Sequence, residues 1–387
     1  MLLSRPLFIG SEIYRRSTYG QRHPLAIPRI STVIDLARAL GWLPDAVYID
    51  SPRAGLDDLA RFHDPAYLAA LQRAEEERRV DPETARRFNI GCNGNPVFPE
   101  IFSRPATACG ATLTAVRLLS ETGGGTIYSP AGGTHHGRPD RASGFCYLND
   151  PVLGMLRLLD EGMRRILYVD LDAHHCDGVQ DALAGDPRVL TVSVHEAPRW
   201  PFTGAAEDRA GGNAVNLPVP AGFNDSELAF LLDEAVLPLA RGFAPEMLIV
   251  QCGADALADD PQSKLALSNR ALWQAVASLR GVAPRMLVLG GGGYNPWSVA
   301  RCWTGIWAVL NGFAVPPTLP PVAEAVLRGL AWNHSKGRNP PEHWFTTLAD
   351  APNPGPVRPE IRALASFHRP HLSAIAVAGA AAGAPSA

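Results

Sequence analysis

Asp172 and His174 are the first residues whose types and spacing point to chemistry. Side chains two apart on extended chain leave from the same side, so this carboxylate and imidazole can share one metal ion. A second carboxylate, Asp255, follows a different apolar run. One His and two Asp supply three ligands and leave the fourth tetrahedral position to water, as a catalytic zinc site requires. A metal held in this way polarises a carbonyl and acidifies the water beside it. Further reactive residues stand in short clusters. They are Gly132-Gly133-Thr134-His135-His136, Asp170-Leu171-Asp172-Ala173-His174-His175-Cys176-Asp177-Gly178, Cys252-Gly253-Ala254-Asp255, and Tyr294 directly after four glycines at 290–293. Any one cluster alone is common in turns and on salt-bridged surfaces. Their joint placement is not.

Each cluster follows a short apolar run of the kind that forms a buried strand, at 125–129, 166–169, 247–250 and 286–289; a fifth run lies at 189–194. Helical periodicity marks 33–40, 65–76, 151–161, 225–240 and 268–279. Strand and helix in alternation predict one α/β domain with a mainly parallel sheet covered on both faces. Ligands of such sheets bind beyond the carboxyl ends of the strands, so four strand ends deliver His, Asp and Tyr to one rim. Residues 315–370 change character. Pro316, Pro317, Pro320 and Pro321 open the segment and Pro340, Pro341, Pro352, Pro354, Pro356 and Pro359 interrupt it, which predicts short helices wrapped on the domain. The Ala/Gly-rich stretch 374–387 carries no charge and predicts a disordered tail after a domain of residues 1–373.

A chain of 387 residues, 46% of them hydrophobic, can bury a large core without disulfides. Its net charge of -3 gives no basic field for nucleic acid or an anionic membrane. No apolar run reaches signal-peptide or membrane-span length. Six scattered cysteines without a CxxC pair fit a reducing compartment. The expectation is a soluble, cytoplasmic protein with no nucleic-acid or membrane partner and its oligomeric state left open.

The ordered motifs resemble the histone deacetylase family. The resemblance is carried by the clusters above together with Ala142-Ser143-Gly144-Phe145-Cys146-Tyr147-Leu148-Asn149-Asp150 and Gly290-Gly291-Gly292-Gly293-Tyr294-Asn295. Tyr19-Gly20, His23-Pro24 and Pro28-Arg29 extend it toward the N-terminus, so the motifs span residues 19–310. Within the superfamily, which includes acetylpolyamine amidohydrolases, the branch most similar is that of the bacterial acetoin-utilisation deacetylases, near class I. The resemblance implies the arginase/deacetylase fold, a three-layer α/β/α sandwich. It also implies a zinc-dependent deacetylase acting on acetylated lysine or small acetylated amines through a metal-bound water. Asp172, His174 and Asp255 match the zinc ligands, a set that also takes Fe(II). His135 and His136 match the tandem histidines that handle protons, with Asp170 and Asp177 as their paired carboxylates. Tyr294 matches the oxyanion donor. Gly144, Phe145 and Trp200 match the acyl-lysine channel, and Asp170, Asp172 and Ser193 a structural potassium site. Arg29 matches an arginine lining an interior channel.

These residue types suit amide hydrolysis, which needs an activated water, an oxyanion donor and an acid for the leaving amine. Three positions depart from the family pattern. Cys176 stands where glycine is usual, at a turn expected to need positive φ. Gly94 stands where an aspartate grips the substrate backbone, which predicts a shift from long peptides toward small acetylated amines, with Asn93 or Asn95 as partial replacements. Gln262 stands where many relatives have an apolar rim residue. Two other readings compete. An arginase-like binuclear manganese ureohydrolase is disfavoured by Tyr294 and by the tandem histidines. A non-catalytic acyl-amine binder is disfavoured because neither Tyr294 nor a ligand is lost.

Overall fold

All five apolar runs become strands, and three further strands join them in one sheet. A computed structural model describes Leu3 and residues 5–369; the expected tail at 374–387 and the last residues of the 1–373 domain lie outside the described residues. The strands are β1 (Leu7–Gly10), β2 (Tyr48–Asp50), β3 (Gly125–Ser129), β4 (Ile166–Asp170), β5 (Val189–Glu196), β6 (Ala214–Val219), β7 (Met247–Gln251) and β8 (Arg285–Leu289). Their order is β2-β1-β3-β8-β7-β4-β5-β6, and every pairing is parallel.

The two faces follow from the period of two along each strand. Leu167, Val169, Leu248, Val250, Met286 and Val288 enter one core, with the helices Ile30–Ala39, Asn269–Leu279 and Pro296–Asn311. Their alternates Ile166, Tyr168, Met247, Ile249, Leu287 and Leu289 enter a second core, with the helices Ser103–Thr122 and Asp150–Asp160. The result is a three-layer α/β/α sandwich. A third apolar cluster packs the loop residues Tyr19, Phe98, Tyr147 and Tyr294 with Tyr67 and Leu71 of the helix Pro65–Glu77.

The expected helix at 225–240 is broken into Asp225–Leu231, a π-helical stretch Leu232–Val236, and Leu237–Phe243. Pro238 has no amide hydrogen to donate to the preceding turn, and the wider π turn absorbs that loss. The C-terminal segment carries the short helices Pro321–Arg328 and His343–Thr346 and a helix at 359–369. It is pinned by Arg358 on Glu227, at 2.6 Å and 2.7 Å, and by Arg301 on Asp350 at 2.7 Å.

Candidate active site

The four motif-bearing strands β3, β8, β7 and β4 are consecutive neighbours in the sheet. Because all run parallel, their C-terminal loops leave from one edge. Backbone bonds continue past the strands into those loops: Leu171 N–H to Gln251 C=O (3.0 Å), Cys252 N–H to Gly290 C=O (2.9 Å) and Ala254 N–H to Gly292 C=O (2.8 Å). The reactive side chains are thus set by an extension of the sheet rather than by free loops.

Asp172, His174 and Asp255 converge, with their ligand atoms all within 4.8 Å of one another. His174 Nδ1 lies 3.2 Å from Asp172 Oδ1 and 3.0 Å from Asp255 Oδ2. Both carboxylates are buried, and among the described residues neither forms an ion pair with Lys or Arg. Buried charge of that kind is costly without a cation. Glycine lets the loops close on it, since a Cβ on Gly253 would sit 2.1 Å from Asp172 Oδ2 and one on Gly292 would sit 2.0 Å from Asp255 Oδ2. Burial opposes ionisation at all three groups, yet the histidines hold Asp172 well below the usual carboxylate range. Burial and the charge of Asp172 push Asp255 up. Burial lowers His174, and hydrogen bonds to the two carboxylates more than reverse this, raising it to about 10. Two carboxylate oxygens and one imidazole nitrogen that converge in this way are a donor set that fits one zinc or Fe(II) ion.

His135 Nδ1 lies 2.7 Å from Asp170 Oδ2, and His136 Nδ1 lies 2.6 Å from Asp177 Oδ1. Each carboxylate is itself held. Asp170 accepts from the Tyr168 hydroxyl (2.7 Å) and the Asp172 amide (2.9 Å), and Asp177 from the Gly178 amide (2.9 Å) and Arg138. A carboxylate on Nδ1 fixes each ring's orientation and tautomer. The rings lie 4.0 Å apart but titrate in opposite directions. Burial lowers His135, and Asp170 and Asp172 override it to about 9. Burial and the neighbouring His135 push His136 down to about 3, against Asp177. The surroundings thus favour the charged form of His135 and the neutral form of His136.

Tyr294 lines a pocket with His135, His136, Asp172 and His174. Its loop takes φ values only glycine tolerates, +130° at Gly291 and +141° at Gly293. Its amide donates to Asp260 Oδ2 at 2.7 Å. Outside it lies a cavity of about 400 Å³ bounded by Gly144, Phe145, Trp200, His136, His174 and Tyr294, with Asn93 and Gln262 also on its wall. A Cβ on Gly144 would come within 2.4 Å of Trp200, so the aromatic wall closes over bare backbone. Arg29 lines the inner pocket and donates to Gly291 C=O at 2.7 Å.

Every residue expected to bind metal, move protons or wall the channel therefore lies at this one edge. Ser193 pairs with Asp170 across β4 and β5, and its hydroxyl lies 2.9 Å from His195 Nδ1. The turn at Cys176 is corrected: its φ is -78°, so no left-handed residue is needed there. The residue that must be small is Gly178, where a Cβ would meet His135 C=O at 2.5 Å. Gly94 has φ +79° and a Cβ there would meet the Phe145 ring at 2.8 Å. Asn95 is committed inward, accepting from the Phe145 amide at 2.9 Å, whereas Asn93 faces the cavity. The sequence reading overlooked Asp260, whose only signal was its place five residues beyond Asp255.

A protein-family model described as Histone deacetylase domain matches residues 23–310. The chain belongs to the histone deacetylase family. Histone deacetylase 8 of Xenopus tropicalis is 34% identical over 298 residues, covering 76% of this chain and 80% of that protein. Histone deacetylase 6 of Arabidopsis thaliana is 35% identical over 311 residues, covering 78% of this chain and 65% of that protein. The aligned part spans 61% to 83% of the length of such relatives. A crystal structure of an HDAC homolog from Aquifex aeolicus superposes with a TM-score of 0.89 at 35% identity, covering 94% of this chain and 99% of that one; a second structure is of an HDAC homolog complexed with SAHA. The single parallel sheet between helical layers is the arginase/deacetylase fold. No helix among the described residues is long and apolar enough to cross a membrane.

Proposed function

We propose that this member of the histone deacetylase family is a zinc-dependent deacetylase that hydrolyses the acetyl amide of acetylated lysine or small acetylated amines. The observation that carries this reading is the convergence of the Asp172, His174 and Asp255 cluster with the His136–Asp177 pair and Tyr294 at the floor of an aromatic-walled cavity. When bound by those three ligands, zinc or Fe(II) supplies Lewis acidity to the scissile carbonyl and the attacking water. Neutral His136 takes the proton from that water and returns it to the leaving amine. Charged His135 stabilises negative charge, and the Tyr294 hydroxyl donates to the developing oxyanion. Gly144, Phe145 and Trp200 confine a linear acyl-aminoalkyl chain. Asp170, Asp172 and Ser193 would hold a structural potassium ion. Six free cysteines support a cytoplasmic location.

With Gly94 in place of an aspartate, no carboxylate lines the outer cavity among the described residues, which favours free acetyl-lysine or a mono-acetylated polyamine over a long peptide. The test compares kcat/KM of the purified protein for an acetylated peptide, free acetyl-lysine and a mono-acetylated polyamine, with arginine as a ureohydrolase control. The expected result is acetate release from the small substrates and no urea from arginine. No acetate from any of them would sink the deacetylase reading. A peptide preferred by several orders of magnitude would sink only the substrate preference.

A further inference from the structure

The loop carrying Tyr294 has no regular secondary structure over residues 290–295. Its four glycines give it little rigidity of its own, so its placement must come from outside. Two backbone bonds tie Gly290 and Gly292 to the facing loop at Cys252 and Ala254. At Tyr294 itself the anchor is a side chain. Asp260 Oδ2 accepts the Tyr294 amide at 2.7 Å, and Asp260 Oδ1 accepts the Gln262 amide at 2.8 Å. Asp260 is 3% exposed and has no Lys or Arg ion pair among the described residues. Burying such a group is expensive unless it is hydrogen-bonded, and here each oxygen accepts a backbone amide. The same stretch carries Asp255 five residues earlier, and Asn295 Nδ2 donates to Asp259 C=O at 3.4 Å. One short segment thus holds a metal-ligating carboxylate, the bracket on the tyrosine loop and, at Gln262, the wall of the outer cavity.

We propose that Asp260 is a positioning residue that fixes the Tyr294 hydroxyl for its work as oxyanion donor, an assignment that rests on the deacetylase reading above. Its carboxylate touches neither substrate nor reacting atoms. It clamps two loop amides whose positions set the oxyanion donor and the rim together. Asp260→Asn keeps the size but replaces one acceptor oxygen with a donor that faces one of those amides. The expected loss is about 10-fold or more in kcat, with KM changed less than about 3-fold and about one metal ion per chain retained.

A double-mutant cycle with Tyr294→Phe separates positioning from general damage. Once the hydroxyl is gone there is nothing left to aim, so Asp260→Asn/Tyr294→Phe should be no slower than Tyr294→Phe alone. Losses that multiply, or an Asp260→Asn variant with the kcat of the unaltered protein, overturn the proposal. If Asp260→Asn does not fold, Asp260→Glu, which keeps both acceptors but displaces them by a methylene, runs the same cycle. Amide hydrogen exchange at Tyr294 tests the bracket apart from activity. Protection should be lost in the variant, and unchanged protection overturns the proposal even if the protein deacetylates nothing.

Discussion

Protonation of His63 should destabilise the fold at mildly acidic pH. His63 is buried, with Nε2 accepting the Asn149 amide at 3.0 Å and Nδ1 lying 3.0 Å from Arg138 C=O. Only the neutral ring with its proton on Nδ1 satisfies both contacts. Asn149 in turn donates to Gly137 C=O at 3.0 Å and to His135 C=O at 3.4 Å, so His63 braces the turn behind the tandem histidines. Burial pushes His63 down to about 4 from an ordinary 6.5. At ~1.4 kcal/mol per pH unit, that gap is worth about 3 kcal/mol. Below pH 6.5 the unfolded chain takes up a proton that the folded chain refuses until about pH 4. This part of the stability is therefore complete above 6.5, falls between 6.5 and about 4, and is flat below. Buried His136 and His195 shift in the same direction, so His63 is isolated by comparison with His63→Gln, whose amide oxygen can still accept from Asn149. Urea unfolding of both proteins across the window, each loaded with the same metal, should show their stability difference shrinking by up to about 3 kcal/mol toward pH 4. A difference that stays constant would refute the reasoning.

Tyr294→Phe removes only the hydroxyl and should cost roughly 10²–10³ in kcat while leaving KM nearly unchanged; steady-state kinetics with full activity would remove the tyrosine from the mechanism. His136→Ala should be slower than His135→Ala by about an order of magnitude or more, since the neutral imidazole carries the proton and the charged one only stabilises; the reverse order in single-turnover assays would exchange their roles. Gly94→Asp should not restore peptide preference. It forces a side chain into φ +79° and against Phe145, at about 1–2 kcal/mol for the backbone alone. A folded variant that gains peptide kcat/KM would show that the loop adjusts.

The central strands were legible because they are buried on both faces and read as apolar runs. β1 and β2 have only four and three residues, and β6 is interrupted by Pro218, so they leave no such run. The helix Pro296–Asn311 escaped notice for another reason. It is buried nearly all round, with Trp297, Trp303 and Trp307 inside, and a helix without a polar face has no amphipathic stripe. At the site, the Asp172 and His174 pair was visible because the two stand close together just past β4, although residues 172–174 form a bend rather than strand. Asp260 and His63 were not, because their partners are backbone amides and carbonyls, which any sequence supplies. The expectation for Cys176 failed because the turn closes with ordinary φ and places its steric demand two residues later, at Gly178.

Metal content measured alongside hydrolysis is the most direct test of the account. Elemental analysis of the purified protein should find about one divalent ion per chain, with acetyl-lysine hydrolysis lost on chelation and restored by zinc or Fe(II). Asp172→Ala should hold none and release no acetate. A metal-free chain with full deacetylase activity, or an Asp172→Ala variant as active as the unaltered protein, would contradict it.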